Sequence, residues 1–313
     1  MKKAFLLIPI VAALAACDTQ GSNPKLRKTD LKILSPQEAP AVALCSFANG
    51  LTTVSNPAAE LIPQFLQNNY DIIVAPAKGG LTNIVKKGAK YKMAAVVTFG
   101  NFALVSTGND KDNTLNEGDK VLYFQPNDIP GSVFNYLYGD LQLETYSVNA
   151  VQDTVTALNT GKINIAGNEI TLDYVYSAEP LITNLGKQGK IVELASTAFS
   201  EKSEGEKIMA AAVFVNDNAD TAKVDKFLKY LNEDISDEVK NPKKFKQMLN
   251  AFGDEDEQLH LFGVNATTVY NCMKNYNGLG IGYLTAKDYQ KEIDFFINDI
   301  LKSNLTLDEK VYY

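Results

Sequence analysis

A two-lobed α/β protein is what this sequence of 313 residues predicts. Three observations carry that expectation. Strand-like and helix-like runs alternate over residues 70–108, and the alternation restarts after a polar, charged stretch at 109–120. A hydrophobic content of 45% over this length supplies apolar surface for more than one core.

The elements follow in order. DLKILSP (30–36) is a short β-like run stopped by Pro36. PAVALCSFANG (40–50) reads as a helix, because Pro40 suits a first helical position and Gly50 a C-terminal exit. NPAAELIPQFLQNN (56–69) is helical with a proline interruption, and YDIIVAP (70–76) is a β-branched, buried strand. AKGGLTNIVKKGA turns through glycines into a helix, and KMAAVVTFGNFALVSTG (92–108) gives two strands around Gly100-Asn101. The second round runs KVLYF (120–124) strand, QPNDIPGSVFNYLYG (125–139) loop into helix, LETYSV (143–148) strand, and NAVQDTVTALNTGK (149–162) helix. EITLDYVYSAEPLITNLGKQG (169–189) is strand, loop and helix, and KIVELAS (190–196) is a strand. KIMAAAVFVN (207–216) returns as a strand, and the rest is mostly helical, most plainly at 286–303. The expected division is lobe I at 30–117 with 207–313, enclosing lobe II at 118–206.

The N-terminus predicts where the protein works. Lys2 and Lys3 precede an uncharged run from Ala4 to Ala16, too short for the roughly 20 residues a bilayer core requires. LAAC places Cys17 where a bacterial lipobox has its acylated cysteine. Residues 1–16 thus read as a lipoprotein signal peptide, Cys17 as the lipidation site, and 17–29 as a flexible tether. The expected location is extracytoplasmic, lipid-anchored to the bacterial cell membrane.

Composition excludes several functions. Loss of residues 1–16 removes Lys2 and Lys3 and no acid, so the net charge moves from −7 to −9. An acidic body without a basic stripe excludes nucleic acid as a partner. Arg27, in the tether, is the sole arginine, so the body has no guanidinium fork for a strong anion. Cys45 and Cys272 could pair in an oxidising compartment but read first as buried free thiols, and His260, between leucines, as structural or surface-exposed. No enzyme or cofactor motif is present: no G-x-S-x-G elbow, P-loop, H-E-x-x-H or paired-cysteine knuckle. The acidic run from Asp110 fails as a calcium loop, having Leu115 where glycine is needed and Val121 where glutamate is needed. GLGIG (278–282) opens no βαβ unit. Neither cofactor nor metal is expected.

What remains is a set of loops at strand C-termini: 35–39, 75–82, 99–101, 125–132 and 177–180. In open α/β sheets ligands bind outside such ends, and helix starts there offer free N–H groups.

The stretches LKILSPQEAPAVAL, YDIIVAPAKGG, YKMAAVVTFGNFALVS, KVLYFQPNDIPGSVFNYL and YVYSAEP resemble successive blocks of an extracytoplasmic solute-binding lipoprotein of ABC importers. The branch is type II, whose relatives handle thiamine pyrimidine precursors, taurine, sulfonates and nitrate. The resemblance runs from about residue 30 to 194, and is most specific at the 71–76 strand and at Glu179-Pro180. It departs at Glu38, where relatives often have a small residue, and at Phe99, where they often have Trp. It implies a periplasmic-binding-protein type II fold, each lobe a mixed sheet flanked by helices, with the ligand cleft between the lobes. It implies a monomer that is no enzyme and that captures a small molecule by lobe closure and delivers it to ABC permease subunits. The rival functions are a surface receptor or adhesin without transport, and a pyrimidine-synthase-like enzyme, whose clustered cysteines and reactive histidine this chain lacks. The candidate ligand residues are Gln37, Lys78, Gly79 and Asn101 from the first lobe, and Gln125, Asn127, Asp128, Ser132 and Glu179 from the second. Asp128 or Glu179 is the expected counter-charge to a neutral or weakly cationic ligand. Tyr174 and Tyr176 fit either ring stacking or the core.

Overall fold

Two mixed sheets organise the chain in the computed structural model, which describes residues 26–109 and 112–313. In chain order the strands are β1 (Ile33–Pro36), β2 (Leu51–Val54), β3 (Ile72–Pro76), β4 (Tyr91–Thr98), β5 (Phe102–Ser106), β6 (Lys120–Phe124) and β7 (Glu144–Val148). They continue as β8 (Lys162–Ile165), β9 (Asn168–Thr171), β10 (Tyr174–Ala178), β11 (Ile191–Leu194), β12 (Ala211–Asn216) and β13 (Ile281–Thr285). The first sheet runs β13-β4-β12-β3-β1-β2 and the second β11-β5-β10-β6-β7, with β8 and β9 as a separate hairpin. In the first sheet β1 pairs parallel with β2 and β3, while β12 lies antiparallel between β3 and β4. In the second sheet, β10 pairs parallel with β6 and antiparallel with β5.

Burial on both faces explains why the central strands read as continuous apolar runs rather than alternating ones. Every residue of β10 and β12 is buried, as is β3 up to Ala75. The helix Ala77–Lys87 lies so close to the first sheet that a Cβ on Gly80 would meet the Phe214 ring at 2.2 Å. One apolar cluster joins the lobes, and Phe296 of the C-terminal segment meets Phe199 of the second lobe with ring centroids 5.9 Å apart.

The structure changes the lobe assignment at one strand. Residues Phe102–Ser106 were expected in lobe I, but β5 pairs with β10 and β11 in the second sheet. The chain crosses between the sheets at 99–101, where Gly100 takes φ 85°. A break between two apolar runs looks the same in sequence whether it reverses a strand or leaves the sheet.

The expected tether is also shorter than 17–29. The Arg27 guanidinium grips Asp234 through Nε and Nη2, each at 2.5 Å, and lies 4.0 Å over the Tyr230 ring. Its backbone N–H donates to Ser46 O at 2.6 Å. Arg27 therefore belongs to the folded body, on a helix of the first lobe. Cys17 and the signal segment lie outside the described residues.

Candidate functional site

The strand ends of the two sheets face each other across a cavity of about 390 Å³. This is near the lower end of the range of about 300–1,000 Å³ typical of small-molecule sites. The first lobe supplies the turn after β1 (36–40), Ser55 after β2, Pro76 and Thr98 at the ends of β3 and β4, and Ala210 and Ala211 where β12 begins. The second lobe supplies Phe102, Phe124 at the end of β6, Gln125, Asp128, Ile129 and Pro130 after it, Gln152 after β7, and Ala178 at the end of β10. The positions after β1, β2, β3, β4, β6, β7 and β10 follow the rule that ligands of open α/β sheets bind beyond the carboxyl ends of strands, while the antiparallel strands β5 and β12 contribute their amino ends.

Four of the nine candidate residues line this cavity: Gln37, Asn101, Gln125 and Asp128. Lys78, Gly79, Asn127, Ser132 and Glu179 are not in its wall. Lys78 and Gly79 start the helix behind Pro76, where Lys78 O accepts from Thr82 Oγ1 at 2.7 Å and Gly79 packs toward Ile62. Asn127 is exposed, and Ser132 donates its N–H to Asp128 O at 2.9 Å within the helix start.

Glu179 serves a different purpose from the counter-charge expected of it. Its side chain is buried, and both carboxylate oxygens are satisfied internally. Oε2 accepts from Thr183 N at 2.8 Å, and Oε1 accepts from Thr183 Oγ1 at 2.8 Å and from the Tyr276 hydroxyl at 2.7 Å. The Cys272 thiol lies 3.8 Å from Oε2. Burial, with the Glu179 carboxylate next to it, pushes this thiol up to about 12. Glu179 thus ties the end of β10 to the C-terminal part of the chain. Both Cys45 and Cys272 are free and buried, and His260 is exposed.

Asn101 is also held by the protein. Its Nδ2 donates to Glu179 O, and its own carbonyl accepts the Glu179 N–H at 2.9 Å. It lines the cavity as a fastener of the crossover. Gln37 donates Nε2 to His260 O at 2.9 Å, and Gly263, at φ 69°, packs against its side chain. Gln125 takes φ 49° and its carbonyl receives the N–H groups of Asp128 and Gly131, at 3.1 and 3.2 Å. Asp128 caps the helix Ile129–Tyr138 by accepting from Ile129 N at 2.8 Å. Phe99 packs against Gly282 outside the cavity. Tyr174 and Tyr176 are core residues, fully buried, with Tyr176 amid Phe102, Phe124 and Phe134.

The residue the sequence understated is Glu38. It lines the cavity directly after β1, with φ 64° and ψ −137°. Only glycine adopts this conformation freely, and a side chain there costs on the order of 1–3 kcal/mol. Its N–H donates to Phe262 O at 2.7 Å and its carbonyl accepts from Val42 N at 2.9 Å, which holds the turn in place. Burial pushes its carboxyl above the usual carboxylate range. No described residue donates a hydrogen bond to that carboxyl or pairs with it. The departure from a small residue marked the position, but not its strain. No lysine, arginine or histidine is among the described residues of the wall. Nor do the described residues group three or more His, Cys, Asp or Glu side chains able to hold a metal ion.

No family model matches the chain, and no curated protein sequence does. Solved structures do. The chain is similar to an ABC transporter protein from Parabacteroides distasonis at 15% identity and TM-score 0.65, covering 91% of this chain and 99% of that one. It is similar to the periplasmic aliphatic sulphonate binding protein of Escherichia coli at 11% identity and TM-score 0.56, covering 88% and 92%. The alkanesulfonate-binding protein of Xanthomonas axonopodis pv. citri, bound to MOPS, aligns at 11% identity and TM-score 0.52, covering 88% and 96%. At these identities the likeness shows the fold, which is that of the two-lobed periplasmic binding proteins, with two mixed sheets flanked by helices.

Proposed function

We propose that this chain is the solute-binding component of an ABC importer, held outside the cytoplasm by a lipid on Cys17. It captures a small molecule between its lobes and hands it to permease subunits. The observation that carries this reading is the cavity walled by both lobes, with Glu38 on one side and Gln125 and Asp128 on the other. A ligand that touches both walls favours the closed arrangement by as much as its contacts differ between open and closed states. The work is binding rather than turnover, since the wall pairs no nucleophile with a base.

The test is mass spectrometry of small molecules released from the purified full-length protein by denaturation. A stoichiometric organic solute that rebinds and raises the melting temperature supports the proposal. Absence of any such solute, with no thermal response to a broad solute library, contradicts it. The tether has its own test. Each acyl CH₂ buried in a membrane contributes about 0.8 kcal/mol. Cys17→Ser is therefore expected to move the protein from the membrane to the soluble fraction. A Cys17→Ser protein that still fractionates with membranes after cleavage at the same site contradicts lipid attachment.

A further inference from the structure

Glu38 combines three features. It lines the cavity, its carboxyl has no partner among the described residues, and it occupies a backbone conformation that glycine would fill without strain. A strained non-glycine residue in a ligand-facing turn points to its side chain as the reason it is there. Its surroundings oppose charge. Phe102, Phe124, Ile129 and Pro130 contribute apolar surface to the same cavity, and the lining contributes no cation. An isolated carboxylate in such a place is costly unless something positive meets it. Asp128, the other acid of the wall, is already engaged by Ile129 N. Two acids without a third metal-binding partner do not make a metal site, so an organic cation is the species that fits.

Resting on the solute-binding reading above, we infer that the cavity takes a small organic cation, an amine or amidinium on a compact apolar or aromatic frame. Glu38 is the residue that receives its charge. Burial raises the Glu38 carboxyl in the absence of a partner, and an arriving cation restores the ionised form. Phe102 and Phe124 of the same wall offer cation–π and apolar contact. The negative charge of the whole protein, −7, favours approach of a cation.

The experiment is a thermal-shift and calorimetric screen of the full-length protein against a solute library sorted into cationic, neutral and anionic sets. The sets share frames, for example benzamidine, benzamide and benzoate. The expected result is binding confined to the cationic set, reduced at least tenfold in Glu38→Gln. Glu38→Gly is the second variant. It is expected to melt no lower than wild type and to lose cation binding to the same degree, which separates the loss from misfolding. Binders that are mainly neutral or anionic overturn the inference and leave the solute-binding reading standing. So do cations that bind Glu38→Gln as tightly as wild type. A protein that binds nothing in any set, and carries no solute when purified, overturns both.

Discussion

Glu179 is buried and Glu38 half-buried, both at loop positions, yet the structure gives them opposite uses. The first is saturated by Thr183 and Tyr276, and the second lines the cavity with no carboxyl partner among the described residues. Sequence alone could not separate them, because the donors of Glu179 come from 97 residues away as well as from the next turn. Asn101 was legible as a cavity residue, but its bond to Glu179 O was not. Asn101→Ala is therefore expected to destabilise the unliganded protein by about 1–2 kcal/mol, the cost of orphaning a buried acceptor, read as a lower melting temperature. An unchanged melting temperature would mean the bond contributes nothing.

Glu238 lies buried on the helix Thr221–Lys240, with the Cys45 thiol 3.7 Å from both its oxygens. Burial, with Asp234 and Asp237 on the same helix, pushes its carboxyl up to about 8, and the Cys45 thiol and Lys244 offset this only in part. Arg27, the nearby cation, is engaged by Asp234. The folded carboxyl thus holds a proton that the unfolded one releases near pH 4.3. Its contribution is fully present at low pH and is lost as pH rises from about 5 to about 8, at up to ~1.4 kcal/mol per pH unit. Glu238→Gln is expected to flatten that decline in chemical unfolding and to exceed wild type in stability at pH 8. A parallel decline in both proteins would assign the pH dependence to other groups.

At the scale of elements, the runs with strong burial were legible. The strands β3, β10 and β12 and the helix Ile129–Tyr138 fall within the stretches their composition marks. The helices fared less well. The run 149–162 is a 3₁₀ turn at Val151–Thr154 followed by a short α-helix, and 286–303 divides into 3₁₀, α and π segments. In the last of these the wide π turn brings Phe296, Ile297 and Ile300 into the core together, a tertiary demand that helical periodicity does not encode. The hairpin β8–β9 went unread because Ala166 and Gly167, both at positive φ, form its turn. Ala-Gly is a weak signal compared with Asn-Gly. One glycine matters for the site. A Cβ on Gly131 would approach Gln125 O and Pro126 Cα at 2.5 Å, both backbone atoms that cannot rotate away. Gly131→Ala is expected to displace the loop at Gln125 and cost about 1–3 kcal/mol by overpacking. A crystal structure of Gly131→Ala with that loop unmoved, together with unchanged stability, would contradict this.

At the scale of the molecule, two lobes and a cleft were legible because alternating strand and helix runs occur twice in the chain. The lobe boundary was not, since the chain crosses to β5 at the short break 99–101. The second sheet supplies Phe124 and Gln125, and the first supplies Glu38 and Thr98, so a solute in the cavity spans both. Ligand at about 100 times its Kd should stabilise the protein by roughly 2.7 kcal/mol, but any binder does that. Closure is the specific claim, and it is a change of shape. The direct measurement is small-angle X-ray scattering of protein stripped by denaturation and refolding, with and without the solute released from it. Capture by lobe closure gives a smaller radius of gyration and a shorter maximum dimension at saturation. Identical scattering profiles at saturating solute would contradict capture by closing lobes.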